Sequence, residues 1–227
     1  WEDESFDFED TANVDCLVCH DRSGGYIKGK KGLPAEGVDL LAAARSVGLP
    51  TRGNCGGCHF RGGGGDAVKH GDLDESLFYP SEDLDVHMGR FDFQCIDCHR
   101  TEDHVIGGRS ITVSVDNANQ IACTDCHNER LHSDQRINAH TDTVACQTCH
   151  IPQVAVHQPT KTHWDWSTAG QDKKGEQDKY GMPTYLKKKG SFQWKEAAKP
   201  VYRWYNGTVE RYLFGDRINE SGPTTLT

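Results

Sequence analysis

Apolar side chains are scarce in this chain of 227 residues: only 35% are hydrophobic, and the mean hydropathy is −0.71. A protein of this length ordinarily closes around one or two hydrophobic cores. A core of aliphatic side chains is therefore excluded as the main source of cohesion. Long hydrophobic runs are missing too, and the most helix-like stretch, Val38 to Val47 (VDLLAAARSV), is far too short to cross a bilayer. Positive charge is in deficit, with 25 Lys and Arg against 34 Asp and Glu. The resulting net charge of −9 repels a phosphate backbone and argues against nucleic acid as a partner, whereas basic redox proteins suit it. No fixed repeat length runs through the chain, which excludes a solenoid, and no cysteine stands alone.

What the chain does have is ten cysteines, all in five copies of Cys-x-x-Cys-His: Cys16, Cys19, His20; Cys55, Cys58, His59; Cys95, Cys98, His99; Cys123, Cys126, His127; and Cys146, Cys149, His150. This is the attachment pattern of haem c. Two thiols on one helical turn form thioethers with the haem vinyl groups, and the next residue presents its imidazole to the iron. Zinc accounts for Cys-x-x-Cys pairs but not for a His after every pair, and five pairs do not divide into four-thiolate sites. Short-range disulfides leave the same five His unexplained. Five haems c would also supply the apolar interior that the side chains lack. The expected fold is mainly α with much irregular structure, organised around closely packed haems. Because haem is attached outside the bacterial cytoplasm, the expected location is periplasmic or extracellular. No signal peptide is visible and Trp1 is not a translation start, so the chain reads as processed or partial.

The motifs divide the chain. Residues 1–159 read as a haem-bearing body and residues 160–227, which lack cysteine and are rich in Trp, Tyr and Lys, as a haem-free tail or arm. Within the body a Gly/Lys-rich loop, 24–32, precedes a helix around Leu40 and Leu41 that should end at Gly48 before Pro50. Ile111 to Val115 alternates as a strand. In the tail, Asn206-Gly207 between two β-prone runs predicts a hairpin.

Each iron needs a second axial ligand or an open position. Seven His lie outside the motifs: His70, His87, His104, His132, His140, His157 and His163. The first five are the expected distal ligands. His104 follows His99, and His132 follows His127, by five residues. At about 3.3–3.6 Å per residue such a segment does not wrap around its own macrocycle, so each is expected to reach a neighbouring haem and hold the haems close.

Beyond the motifs, "VDCLVCHD" at 14–21, Cys55-Gly-Gly-Cys58-His59-Phe60, "GDAVKHGDLD" at 65–74, "DVHMG" at 85–89 and "MPTYLKKKGSFQW…VYRWYNGT" resemble the octahaem tetrathionate reductase family over nearly the whole chain. In that family one haem has a lysine amine in place of a distal His, with an Asp nearby, and forms the active site; the other haems are bis-His. The resemblance implies Lys69 as the ligand opposite His59, and Asp66 beside it. The chain departs from the family in having five attachment motifs rather than eight, which reads as a missing N-terminal part.

A lysine ligates iron only as the neutral amine, since an ammonium has no lone pair, so burial and the iron must displace its proton. Asp66, three residues earlier, would share a helical face with Lys69 if the segment is helical, and could bond the amine or manage protons. Glycines 62–65 would let the backbone approach the ring. The expected activity is reduction of tetrathionate, nitrite or hydroxylamine at the Lys69 haem, with electrons collected through bis-His haems. Arg52, Arg61 and the Lys28/Lys30/Lys31 loop are candidates to attract an anionic substrate. The alternative is a non-catalytic conduit, in which every haem is saturated and electrons pass between other cytochromes or from quinol-linked donors, with assembly into an oligomer or filament allowed.

Overall fold

A computed structural model describes residues 7, 10, 13–62, 64–69, 71–108, 121–202, 215 and 217. The chain forms two compact units: Trp1–Ile96 with His157–Lys195, and Asp97–Val156 with Glu196–Thr227. The strands that follow residue 159 thus belong to the same unit as the earliest attachment motifs.

All five motifs lie on a helical turn. They occupy α1 (Cys16–His20), α3 (Arg52–His59), α4 (Cys95–Cys98), a 3₁₀ turn at Cys123–Asp125 and α6 (Gln147–His150). None of these exceeds eight residues, so side-chain caps carry much of the work of starting them. Asp15 accepts from the Leu17 amide at the head of α1. At the head of α3 the Thr51 amide and hydroxyl both donate to Asn54 Oδ1. Asn54 in turn donates its amide to the Asp21 carbonyl at 2.8 Å, while the Arg52 amide donates to Gln94 Oε1 at 3.1 Å. One capping residue therefore ties α3 to α1, and the next ties it to the residue before Cys95.

The expected helix around Leu40 is shorter than the pattern suggested. Asp39 caps α2 (Leu40–Arg45), and the chain leaves the helix at Ser46. A three-stranded antiparallel sheet, β3 (Thr160–Asp165), β5 (Gly190–Lys195) and β4 (Tyr185–Leu186) in that order, completes the first unit. β5 alternates strictly, with Gly190, Phe192 and Trp194 buried and Gln193 and Lys195 exposed. Gly190 turns the β4–β5 hairpin at φ 76°, and a Cβ there would meet the Asp165 carbonyl at 2.2 Å. The hairpin expected at Asn206-Gly207 and the strand expected at 111–115 lie outside the described residues.

In the second unit β1 (Thr101–Glu102) and β2 (Val105–Ile106) form a two-residue hairpin. Asp103 (φ 47°) and His104 (φ 64°) are both left-handed, as a type I′ turn requires. Beyond it, α5 (Gln135–His140) is capped by Asp134. Buried hydrophobic residues are few among the described ones, with Phe60, Phe192, Trp194 and Tyr185 the largest, whereas Leu40, Leu41, Leu49, Phe91 and Ile106 are exposed. A side-chain core of this size does not organise a chain of this length.

Candidate functional site

Two of the motif imidazoles are oriented from behind. His20 Nδ1 lies 2.9 Å from the Gly48 carbonyl and His99 Nδ1 lies 2.8 Å from the Gly107 carbonyl. A carbonyl only accepts, so in each ring the proton sits on Nδ1 and the Nε2 lone pair is left for a metal. Gly108 (φ 104°) keeps the space for this, since a Cβ there would meet His99 Nδ1 at 2.7 Å. Gly56, inside the second motif, plays a related part: its Cβ would strike the Phe60 ring at 2.3 Å. Phe60 is buried and meets Phe78 edge-on at 4.7 Å, which locks α3 onto the turn Glu75–Phe78.

Sulfur atoms of different motifs adjoin one another. In the first unit the hydrogen-bonding Cys95 thiol raises the pKa of Cys55; burial, then the nearby Cys55 and Cys58, raises that of Cys19. In the second unit Cys123 is raised by burial and then by Cys146, and Arg100 reaches the Cys126 sulfur at 3.6 Å.

His132 stands across from His150, their ring centroids 6.0 Å apart. A ring nitrogen binds a transition metal at about 2 Å and the ring centre lies about 1 Å behind it, so imidazoles on opposite faces of one iron have centroids about 6 Å apart. His132 Nδ1 is buried and makes no hydrogen bond among the described residues. The ring is held by a residue that sequence reasoning missed. Buried Asn138 accepts from the His132 amide at 2.9 Å and donates to the His132 carbonyl at 2.7 Å. Arg130 then donates to the Asn138 carbonyl at 2.5 Å.

The segment after His59 is built differently. Residues 66–69 are turns rather than helix, and Gly64 (φ 99°), Gly65 (φ 151°) and buried Ala67 (φ 53°) give it a left-handed course. Asp66 and Lys69 therefore do not share a helical face. Asp66 is fixed instead by the Glu75 amide at 2.8 Å on one oxygen and Gln158 Nε2 at 2.5 Å on the other. Since a carboxylate has about four lone-pair sites, it keeps acceptor capacity. Lys69 is exposed and makes no ion pair among the described residues.

Three of the expected anion attractors are engaged elsewhere: Lys28 pairs with Asp15, Arg52 with Asp92 and Arg61 with Glu75. A different cation stands beside the Lys69 loop. The Lys161 amide donates to the Val68 carbonyl at 3.1 Å. Its side chain is buried, with Nζ 3.8 Å from the Phe192 ring centre and 5.1 Å from that of Trp194. Burial, and then the charges of Lys189 and Lys69, lowers its pKa. Its signal in the sequence was a lysine in a strand next to Thr160, but a bulge between Lys161 and His163, invisible to pattern reading, decides which way it faces.

Three findings bear on relationship. Residues 81–151 match the family model for cytochrome c7 and related cytochromes c, and residues 161–227 match the model for bacterial cytochrome c. An uncharacterised protein of Archaeoglobus fulgidus is 29% identical over 122 residues, 45% of this chain and 41% of the relative. The crystal structure of octahaem cytochrome c from Shewanella oneidensis superposes with a TM-score of 0.79 at 49% identity, covering 99% of this chain and 51% of that one. The chain is a multihaem c-type cytochrome similar to octahaem cytochrome c. It spans about half the length of the solved octahaem chain.

The donor set of this multihaem cytochrome fits haem c: thiol pairs on single helical turns, two motif imidazoles turned by a carbonyl, and the His132 ring 6.0 Å from that of the motif residue His150. Of the other expected distal ligands, His87 lies on the π-helical turn Val86–Arg90, 5.9 Å from the Phe93 ring, His104 is at the tip of the β1–β2 hairpin and His140 ends α5. His70 lies outside the described residues. Among the described residues of the cytochrome no helix is long and apolar enough to cross a membrane.

Proposed function

We propose that this cytochrome carries five haems c, passes electrons through bis-His haems, and reduces a small substrate at the haem on Cys55, Cys58 and His59, where Lys69 is the axial ligand opposite His59. The observation that carries the reading is the Lys69 loop: an exposed lysine that makes no ion pair among the described residues, on an irregular segment anchored by Asp66 and by the backbone of Lys161. When bound, the haem supplies electrons and an iron whose amine ligand can be displaced. Asp66 has the remaining acceptor capacity to take a proton from Lys69 or deliver one to a substrate. For the saturated haems we propose His132 as the partner of His150, and His70, His87, His104 and His140 as further distal ligands.

The substrate class is tetrathionate, whose central S–S bond takes up an electron pair and separates as thiosulfate, or nitrite and hydroxylamine, which consume protons as well as electrons. Periplasmic or extracellular redox proteins, other cytochromes or quinol-linked donors, would supply the electrons. A conduit without a reaction is the second reading, favoured by the sulfur contacts between motifs, which serve electron transfer in either case. The test mixes the reduced holoprotein with tetrathionate, nitrite and hydroxylamine and follows the haem bands. Reoxidation by at least one of them is expected; none by any of the three would leave the conduit.

A further inference from the structure

The Lys69 loop follows a left-handed, irregular course and is fastened from outside by the stretch that leads into β3. Gln158 Nε2 donates to Asp66 Oδ2 at 2.5 Å, the Gly71 amide to Thr160 Oγ1 at 3.3 Å, and the Lys161 amide to the Val68 carbonyl at 3.1 Å. The donors in all three are amides, which do not titrate. A fourth fastening does. His157, the residue before Gln158, places Nδ1 3.7 Å from Asp74 Oδ2 at the far end of the loop. Asp74 is fully buried, and its Oδ1 accepts from the Ser76 amide at 2.8 Å and from the Ser76 hydroxyl at 2.5 Å. Oδ2 makes no hydrogen bond among the described residues. At 3.7 Å a neutral imidazole is beyond hydrogen-bond reach. An imidazolium, by contrast, is drawn to a carboxylate, and more strongly where that carboxylate is shielded from water. Imidazole is also the side chain that changes charge near neutral pH.

We propose that His157 is a pH-dependent positioning residue: as the imidazolium it closes on Asp74 and fastens the loop that carries Asp66 and Lys69, and as the neutral ring it lets that loop loosen. The inference rests on the reading of the Lys69 haem as the reaction site and adds its regulation, since the acidity that supplies protons to a reduction also sets Asp66 in place. The sign follows from the charges. The fastening is complete when the ring is protonated and is lost as pH rises. The other charged groups on the adjoining segments are Asp66, Lys69, Asp72 and Glu75 on the loop side and Lys161, His163 and Lys195 on the strand side. Glu75 pairs with Arg61, and Asp66 accepts from its two donors. His70 is proposed above as an iron ligand, which leaves the exposed His163 as the imidazole to control for.

The experiment is hydrogen–deuterium exchange of the oxidised holoprotein at about pH 5.5 and about pH 8, either side of the imidazole range. Mass spectrometry reads it in peptides covering 66–74, corrected for the intrinsic pH dependence of amide exchange. Wild type should be about fivefold more protected at the lower pH, as expected of one ion pair with an exposed partner. His157→Gln removes the titrating group and should show the same, lower protection at both. Asp74→Asn keeps an oxygen to cap Ser76 and should behave alike, whereas His163→Gln should retain the wild-type difference. Equal protection of wild type at the two pH values overturns the inference. So does a difference that survives in His157→Gln or disappears in His163→Gln. If His157→Gln does not fold, a wild-type difference retained in Asp74→Asn overturns it. Failure of the reaction reading looks different: exchange would follow His157 as expected, yet none of tetrathionate, nitrite and hydroxylamine would reoxidise the haems.

Discussion

Two stretches follow a similar motif and end in opposite ways. The second-unit segment Leu131–His150 leads to a His clamped on both backbone groups by a buried Asn, with a motif imidazole 6.0 Å away. The first-unit stretch 59–69 leads to an exposed lysine on a loop of left-handed residues, flanked by a tethered carboxylate and a buried cation that makes no ion pair among the described residues. Rigid clamping suits a saturated haem that only transfers electrons, because fixed ligands limit reorganisation. An irregular loop with a replaceable ligand suits a haem that must admit a substrate.

The difference can be broken from either side. The largest effect is expected of Lys69→His in the holoprotein, which makes the open site resemble the clamped one. Reoxidation by the effective acceptor should fall at least about a thousandfold, measured by stopped-flow absorbance, while the number of haems is unchanged. From the other side, His132→Ala should leave His150 without an opposing imidazole and convert one low-spin haem to high spin, read by electron paramagnetic resonance. Asn138→Ala should give a milder form of the same change and cost about 1–3 kcal/mol of stability through unsatisfied buried groups, seen in chemical denaturation.

Smaller still is the contribution of the supporting frame. Gly56→Ala puts a methyl against the Phe60 ring and should cost about 1–3 kcal/mol, with α3 shifted relative to the turn Glu75–Phe78; thermal melting of the holoprotein checks it. The smallest effect concerns Asp21, which holds the loop after His20. The Ser23 hydroxyl, then Ser46 and the amides of Tyr26 and Ser23, hold its pKa down at about 2 despite desolvation. A depressed carboxylate contributes stability that is complete above its unfolded value of about 3.9 and is lost as pH falls toward about 2. Asp21→Asn should remove that part of the acid dependence of the His20 haem spectrum and leave neutral pH nearly unaffected.

The attachment sites were legible because haem c chemistry imposes a fixed local spacing, and a motif confined to one helical turn is readable without knowing the fold. His132 could be expected to reach beyond its own haem because five residues are too few to round a macrocycle. Asn138 and Lys161 were not legible. Asn138 works only because α5 returns its side chain to the His132 backbone, and Lys161 because a bulge turns it inward and β3 runs beside Val68. Lys28, Arg52 and Arg61 looked available for an anion and were not, since Asp15, Asp92 and Glu75 neutralise them through contacts that sequence distance conceals. The Asp66–Lys69 relation was expected on a helix; the glycines and Ala67 make it a loop, and Asp66 is fixed by Glu75 and Gln158 instead.

The ligand opposite His59 is the centre of the account. Near-infrared magnetic circular dichroism of the oxidised holoprotein reads axial ligand pairs directly, and Lys69→Met assigns the band. The account predicts one haem with a histidine–amine band that disappears in the variant while the bis-His bands remain. Bis-His bands alone, unchanged by the substitution, would contradict it.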